Sequence, residues 1–434
     1  MPSLPPSLVH RDFRLLWVSM LCSGLAMQMA QVAIGWQVYS IHHSAFDLGL
    51  IGLAEFVPVP LLALPAGQLA DRLPRVTVVI VWGFADAAVT ALLLVVTLHG
   101  AHQLWQFLGL AVLTGTLAAV GNPAGRSLTP ELVPADLLTG AIALRSIAGQ
   151  VSTIGGPALG GLLFALRPET VYSTGIVLLV VSSLILIPIT RPEAVGPVAG
   201  EEPPRLDALF AGIRFIRKTK VLLGAITLDL FAVLFGGAVA LLPLFAKSKL
   251  HTGPFGLGVL RSAIAIGALV AGVALARKPL QRHAGRTLLI VVAAFGACMV
   301  VFGLSHWFWL SFAALAVSGY VDMYSMNIRS TTAAFATPNE LRGRVNAVEG
   351  VFIGASNELG AFESGAAAAL VGAVPAVVAG GALTILLALV WPKVFPDLSH
   401  VDRMEELGPP SAAGLREVLP VGGRRPASAP EPAD

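Results

Sequence analysis

The sequence is poor in charge. Only 12% of its 434 residues are Asp, Glu, Lys or Arg, against roughly 25% in soluble globular domains, while 56% are apolar and the mean hydropathy is +0.79. A soluble chain of this length would make about three domains, and no stretch before residue 393 carries the charge needed to hydrate them. An ordinary soluble enzyme is excluded. Cysteine is nearly absent: Cys22 and Cys298 lie far apart in apolar runs, which excludes a disulfide framework and a Cys-rich metal site and leaves two free buried thiols. No Gly-x-x-x-x-Gly-Lys-[Ser/Thr] phosphate loop occurs, so ATP is not hydrolysed by the usual means and an ion gradient is the expected energy source. No His-Glu-x-x-His spacing occurs either, and His42 and His43 fall in a loop; neither a bound metal nor a cofactor is expected. The net charge of +3 is small and divided by membrane side, which excludes nucleic-acid binding.

What the sequence does have is long apolar segments. They run at about 13–41, 48–70, 75–98, 104–125, 138–165, 171–190, 221–246, 256–276, 286–304, 307–328, 345–370 and 371–392, each near the ~20 residues that span a bilayer. The first is too long for the apolar core of a cleaved signal. The expected fold is an all-α membrane protein of twelve transmembrane helices. With both termini cytoplasmic, only Arg167, Lys247 and Lys249 of the 28 Lys and Arg fall in outward loops, and Arg261 lies just inside the eighth span. That asymmetry fixes the expected orientation.

Leu209, Ile213 and Ile216 recur at helical spacing beside Arg214, Arg217 and Lys218, which predicts an amphipathic helix at the cytoplasmic membrane surface, with a plain solvated linker as the alternative. After Pro396 the chain becomes rich in Pro, Ala and Glu and is expected to be disordered. The expected organisation is a six-helix bundle over 1–190, a linker over 191–220, a second six-helix bundle over 221–392 and a cytoplasmic tail over 393–434.

The halves repeat. Arg126-Ser127 and Pro134-Ala135-Asp136-Leu137 recur as Arg329-Ser330 and Pro338-Asn339-Glu340-Leu341, displaced by 203 and then 204 residues. At the second displacement, Gly156 to Gly161 in the fifth span falls on Gly360 to Gly365 in the eleventh. Parallel six-helix repeats place a substrate site near the bilayer midplane, open to each side in turn.

Gly67-Gln68-Leu69-Ala70-Asp71-Arg72-Leu73-Pro74-Arg75, between the second and third spans, resembles the Gly-x-x-x-Asp-Arg-x-Gly-Arg signature of the major facilitator superfamily, with Pro74 in place of the usual glycine. Gly67 permits close packing, while Asp71, Arg72 and Arg75 can cap a helix and hold cytoplasmic carboxylates; the resemblance implies a latch on the outward-facing state. Gly156-Pro157-Ala158-Leu159-Gly160-Gly161 resembles the Gly-Pro-x-x-Gly-Gly core of proton-coupled exporters of that superfamily. Small residues let helices approach and proline bends a span, so Gly156, Pro157, Gly160 and Gly161 are expected to govern packing of the fifth span. Generic small-residue packing is the alternative.

Charges at membrane depth cost roughly 2.5–3.5 kcal/mol each on insertion scales and face a cavity or a partner. Asp229, about 12 Å into the seventh span, is a substrate or proton-site candidate. Asp322, Ser325, Met326 and Arg329 share one helix face; Asp322 is a proton-coupling candidate, Ser325 a cavity candidate and Arg329 a gate. Glu349, Asn357, Glu358 and Glu363 load the eleventh span with acid, and the segment from Arg342 to Gly365 looks like that of the enterobactin-exporter-type branch, the transmembrane secretion effectors. Glu358 is the leading coupling candidate, Glu349 a gate residue that pairs with cytoplasmic arginines, and Asn357 a cavity residue; mutual structural satisfaction of the acids is the alternative. Asp86 is expected to be structural, and Glu55 is left unassigned. Gln28 and Gln31, on a stripe with Gly24 and Gly35 in the first span, and Asn122 in the fourth offer amides to a neutral or zwitterionic ligand. Arg126 is read as a gate residue paired with Asp71 or Glu131.

The expected function is secondary active export of a siderophore or similar amphipathic small molecule in exchange for protons, by a monomeric multi-pass protein of the bacterial inner membrane whose partners are its substrate, protons and the lipid bilayer. The alternatives are a multidrug exporter, a lipid flippase, a small-solute importer and, from a different class, a membrane sensor that binds without transporting.

Overall fold

The computed structural model describes residues 5–62, 73–100, 103–189, 206–280, 282–404 and 407; the side chains at 206–211, 339, 340 and 347 are not described. Among the described residues every regular element is helical. The long helices are α1 (Arg11–His42), α2 (Ala45–Phe56), α3 (Arg75–Leu98), α4 (Leu104–Glu131), α5 (Leu138–Leu166), α6 (Pro168–Leu186), α7 (Leu206–Lys218), α8 (Lys220–Gly236), α9 (Pro254–Arg277), α10 (Ala284–Leu304), α11 (Phe308–Ala336), α12 (Asn339–Val371) and α13 (Ala373–Val394). Ten segments among the described residues are helical, long and apolar enough to cross a membrane: the helices α1 to α6, of which the second extends to Leu62, the stretch Lys220–Lys249, and α9, α10 and α13. Helices α11 and α12 fall outside that group; they carry Asp322 and Arg329, and Glu349, Glu358 and Glu363, respectively.

The boundaries follow local chemistry. Pro168 and Pro254 open α6 and α9 at the first helical turn, where the missing N–H costs nothing. Ser44 accepts from the Asp47 N–H at 3.2 Å and caps α2. The predicted seventh span is interrupted: α8 ends at Gly236, and the chain continues through a 3-10 turn at Ala238–Leu241 and a π turn at Phe245–Lys249. Gly236-Gly237 and Pro243, helix-breaking residues inside the apolar run, stand where the winding changes.

Helices α1 to α6 form one group and α8 to α13 a second, and the groups are built alike. In the first, α1 packs on α5 and α6, α3 on α4 and α6, and α2 on α4; in the second, α8 packs on α12 and α13, α10 on α11 and α13, and α9 on α11. Shifting by six spans converts one set of pairs into the other, so the sequence repeat is also a repeat of packing.

Two segments outside these groups are docked. Helix α7 buries Phe215 and Ile216 against Leu222, Ile226, Leu341, Val345 and Val348, and Gly212 leaves room for the Arg344 carbonyl, which would lie 3.0 Å from an added Cβ. Its apolar face therefore rests on α8 and α12, where the spacing alone predicts the membrane surface. The start of the expected disordered tail is docked as well. The Ala284 and Gly285 N–H groups donate to the Asp402 and Val401 carbonyls, the His283 N–H donates to Asp402 Oδ1 at 2.8 Å, and Leu398 and Met404 are buried beside α10. Two apolar side chains and the open N–H groups at the start of α10 fix this stretch, a pairing that composition does not reveal.

Candidate functional site

The two groups meet through α5 with α9 and α2 with α12, and glycine sets both contacts. A Cβ on Gly156 would stand 2.5 Å from Gln28 Cβ and one on Gly160 2.8 Å from Met29 Cα, while Cβ atoms on Gly161 and Gly258 would strike the Pro254 and Pro157 carbonyls. Helix α5 is thus wedged between α1 and α9. On the opposite side, a Cβ on Gly360 would lie 2.8 Å from the Val233 carbonyl, one on Gly365 2.7 Å from the Ala45 carbonyl and one on Gly49 3.0 Å from Phe362 Cα. Helix α12 is wedged between α8 and α2 in the same way, by glycines at the repeat positions of Gly156 and Gly161.

All these contacts lie at the end where α2 and α9 begin and α5 and α12 finish. The same end is sealed by Tyr39 Oη and Ser248 Oγ, 2.7 Å apart, by the Phe46 and Phe362 rings, 5.7 Å between centroids, and by an apolar cluster joining Val32 to Leu241, Leu242 and Phe245. Gly258→Val should open it, since a branched side chain against a backbone carbonyl costs about 1–3 kcal/mol. In a Cys22→Ala, Cys298→Ala background, a cysteine at Met299 should then react faster with an impermeant maleimide added on that side. Unchanged labelling would contradict the seal.

Behind the seal lies a cavity of about 420 Å³ between the two groups. Phe295, Met299 and Leu315 give it apolar walls, and Gln31, Glu55, Arg261, Asp322, Asn357 and Glu358 give it polar groups. Arg261 Nη2 donates to Gln31 Oε1 at 2.7 Å, linking α9 to α1, and its guanidinium interacts electrostatically with Glu55 and Glu358. Gly52 makes room for Glu358, whose Oε2 would lie 2.8 Å from an added Cβ. Chemically, one cation and two carboxylates from opposite groups of helices line a space large enough for a ligand.

A second charged cluster lies off this cavity. Asp229 Oδ2 and Arg329 Nη1 are 2.7 Å apart, both buried, and Asp322 and Glu349 also interact electrostatically with Arg329. Ser325 is buried beside Asp229 and Asp322 at a small recess, and its Oγ and Arg329 Nε are without hydrogen-bond partners among the described residues. Asp229 and Ser325 therefore sit apart from Gln31, Asn357 and Glu358, and Asp322 touches both places.

A further cavity of about 400 Å³ lies within the first group of helices, lined by Gln28, Gln31, Asn122, Arg126 and Arg145 among others. Of the latch motif, Gly67, Asp71 and Arg72 lie outside the described residues. Arg75 is ion-paired with Glu131 across α3 and α4, because Arg75 opens α3 beside the end of α4; of the two partners expected for Arg126, Glu131 is thus taken by Arg75 and Asp71 lies outside the described residues. The Arg126 carbonyl accepts instead from Arg145 Nη1 at 2.9 Å.

The family model described as transmembrane secretion effector matches residues 3–408. The chain belongs to that family. It is a transporter of the major facilitator superfamily. A protein of Citrobacter koseri named enterobactin exporter EntS is 28% identical over 400 residues, covering 87% of this chain and 92% of that one; its namesake in Escherichia coli K12 is 25% identical over 405 residues, covering 90% and 93%. Among solved structures, the nucleoside transporter NupG superposes with a TM-score of 0.70 at 14% identity, covering 88% of this chain and 100% of that one. A bacterial homologue of the iron transporter ferroportin, in an inward-facing state, gives 0.66 at 16% identity, covering 90% and 99%. These likenesses concern the fold.

Two groups of the candidate site escape sequence reasoning. Arg261 counted only toward the charge bias of the loops, although a lone arginine inside an apolar span is itself a site signal. Glu55 stayed unassigned because its partners, Arg261 and Glu358, are about 200 and 300 residues away along the chain.

Proposed function

We propose that this secretion effector is a proton-coupled secondary exporter of a siderophore or similar amphipathic small molecule, working by alternating access at the cavity around Arg261, Glu55 and Glu358. It has twelve transmembrane helices, with α11 and α12 as the two beyond those that apolarity alone picks out, because each takes the place in its group that α4 and α5 take in the other. The bundles are 1–190 and 221–392, the linker 191–220 and the tail 393–434. Both termini are cytoplasmic, as the loop charges ask, and the protein acts as a monomer in the bacterial inner membrane. The sealed end is then the outer one, and the structure is inward-facing.

The observation that carries the reading is the juxtaposition of Arg261, Gln31, Glu55 and Glu358 in one cavity between the helix groups. An ionised carboxylate accepts hydrogen bonds from ligand hydroxyls. Protonation removes the charge that strengthens those bonds and turns one acceptor oxygen into a donor. A hydroxyl-rich ligand and a proton thus compete for Glu358, which is the requirement for exchange: protons entering from outside expel the ligand, and the ligand arriving from the cytoplasm expels the proton. The relatives named enterobactin exporter support a phenolic, siderophore-type ligand. Asp229 and Arg329 with Glu349, and Arg75 with Glu131, serve as cytoplasmic gate groups beside Asp71, Arg72 and Arg126.

The test is uptake into everted membrane vesicles, acidic inside, with a catecholate siderophore and a lipophilic drug cation in parallel. Siderophore uptake that collapses with the proton gradient is expected. Uptake of the drug alone would replace this reading with multidrug export, and uptake of neither would overturn it.

A further inference from the structure

The cavity within the first helix group has its own chemistry, separate from that of Arg261. Two guanidinium groups, Arg126 from α4 and Arg145 from α5, stand together at its wall; Arg145 spends one donor on the Arg126 carbonyl at 2.9 Å and another on Thr129 Oγ1 at 3.5 Å. The two cations repel one another, and among the described residues neither is ion-paired. Nearby, Trp82 presents an indole to the same cavity, its ring filling the space that a side chain on Gly121 would take. Ser152 also lines the cavity; its Oγ, turned toward Gly24, and Trp82 Nε1 are buried without hydrogen-bond partners among the described residues. Leu16, Met20 and Val79 supply apolar wall.

Among the described residues the two guanidiniums have no ion-pair partner and outnumber the one carboxyl lining the cavity, Asp86; that excess of positive charge beside an indole suits an anionic ligand. Adjacent like charges are stabilised by an anion between them, and guanidinium forks match a planar carboxylate or phenolate. The aromatic and aliphatic wall asks for a ring on that anion. We propose that this cavity is a separate binding site for an aromatic acid, an aryl carboxylate or phenolate, held by Arg126 and Arg145 with its ring against Trp82. Because Gln31 lines both this cavity and the central one, a ligand held here is one side chain away from the central cavity.

Equilibrium binding tests this without any transport, so its outcome stands whether or not the export reading does. The full-length protein in nanodiscs of zwitterionic lipid is titrated with salicylate, with cyclohexanecarboxylate and inorganic phosphate for comparison, and with thermal unfolding as a second readout. Salicylate should bind and raise the unfolding temperature, cyclohexanecarboxylate and phosphate should bind at least about tenfold more weakly, and Arg145→Gln should weaken salicylate about tenfold or more. Arg145→Lys, which keeps the charge but loses the fork, should fall between them, and Arg261→Gln should leave salicylate binding unchanged. Salicylate binding lost in Arg261→Gln but kept in Arg145→Gln would move the site to the central cavity and overturn the proposal. So would phosphate binding as well as salicylate, displacement of salicylate by anionic phospholipid in the disc, or no salicylate binding by the folded wild type.

Discussion

Glu358→Gln should abolish uphill transport while leaving downhill exchange of substrate intact. The glutamine keeps the shape and an acceptor oxygen beside Gly52 and Arg261 but can no longer take up a proton, so the proton gradient has no handle on the cavity. One proton exchanged per substrate converts a pH difference of one unit into an accumulation of up to about tenfold, because one unit is worth about 1.4 kcal/mol. In proteoliposomes the wild type should approach that ratio and Glu358→Gln should stop at equality. Glu55, which shares Arg261, should when changed to Gln reduce the ratio, since the guanidinium then has one carboxylate fewer to stabilise. Full accumulation by Glu358→Gln would remove this residue from the coupling step.

Asp229→Asn should strongly destabilise the second helix group, and Arg329→Gln added to it should restore much of the loss. The 2.7 Å pair is buried on both sides. Removing one partner of such a pair leaves a buried charge uncompensated, at a cost of about 3–5 kcal/mol, while removing both charges together is close to neutral. Arg329 would retain only Asp322 and Glu349 as electrostatic partners. Thermal unfolding of the purified variants reads this directly: a large drop for the single variant and partial recovery for the double. A single variant as stable as the wild type would show that Asp322 already satisfies Arg329, and would make Asp229 available for transport chemistry.

The fold was legible because lipid permits few alternatives. The third span, expected at 75–98, is α3 at Arg75–Leu98, and the linker helix was visible in the spacing of Ile213 and Ile216. Period and length carry such information within one segment. What the sequence conceals is partnership. Phe215 and Ile216 repeat as a surface helix would, and only Gly212 against Arg344 decides that they face protein. Pro396 and the residues after it read as tail composition, and only the open end of α10 gives Leu398 and Asp402 their place. The candidate site follows the same logic. Gln31, Asp322, Asn357 and Glu358 stand out as polar groups at membrane depth and line one cavity. Asp229 stood out equally, yet it is turned to Arg329. Arg145 is not singled out by the sequence and Arg261 only as an exception to the loop charges, because an arginine near the end of a span has a sufficient explanation in membrane orientation until its neighbours are known.

The central claim, that ligand and proton compete for the cavity around Glu358, is tested most directly by weakly buffered titration of the detergent-purified protein with a catecholate siderophore while pH is recorded. Wild type should release protons on binding, fewer as the starting pH rises and the carboxylates begin ionised, and Glu358→Gln should bind with that release lost. Binding accompanied by no proton release in the wild type, or by the same release in Glu358→Gln, would contradict the account.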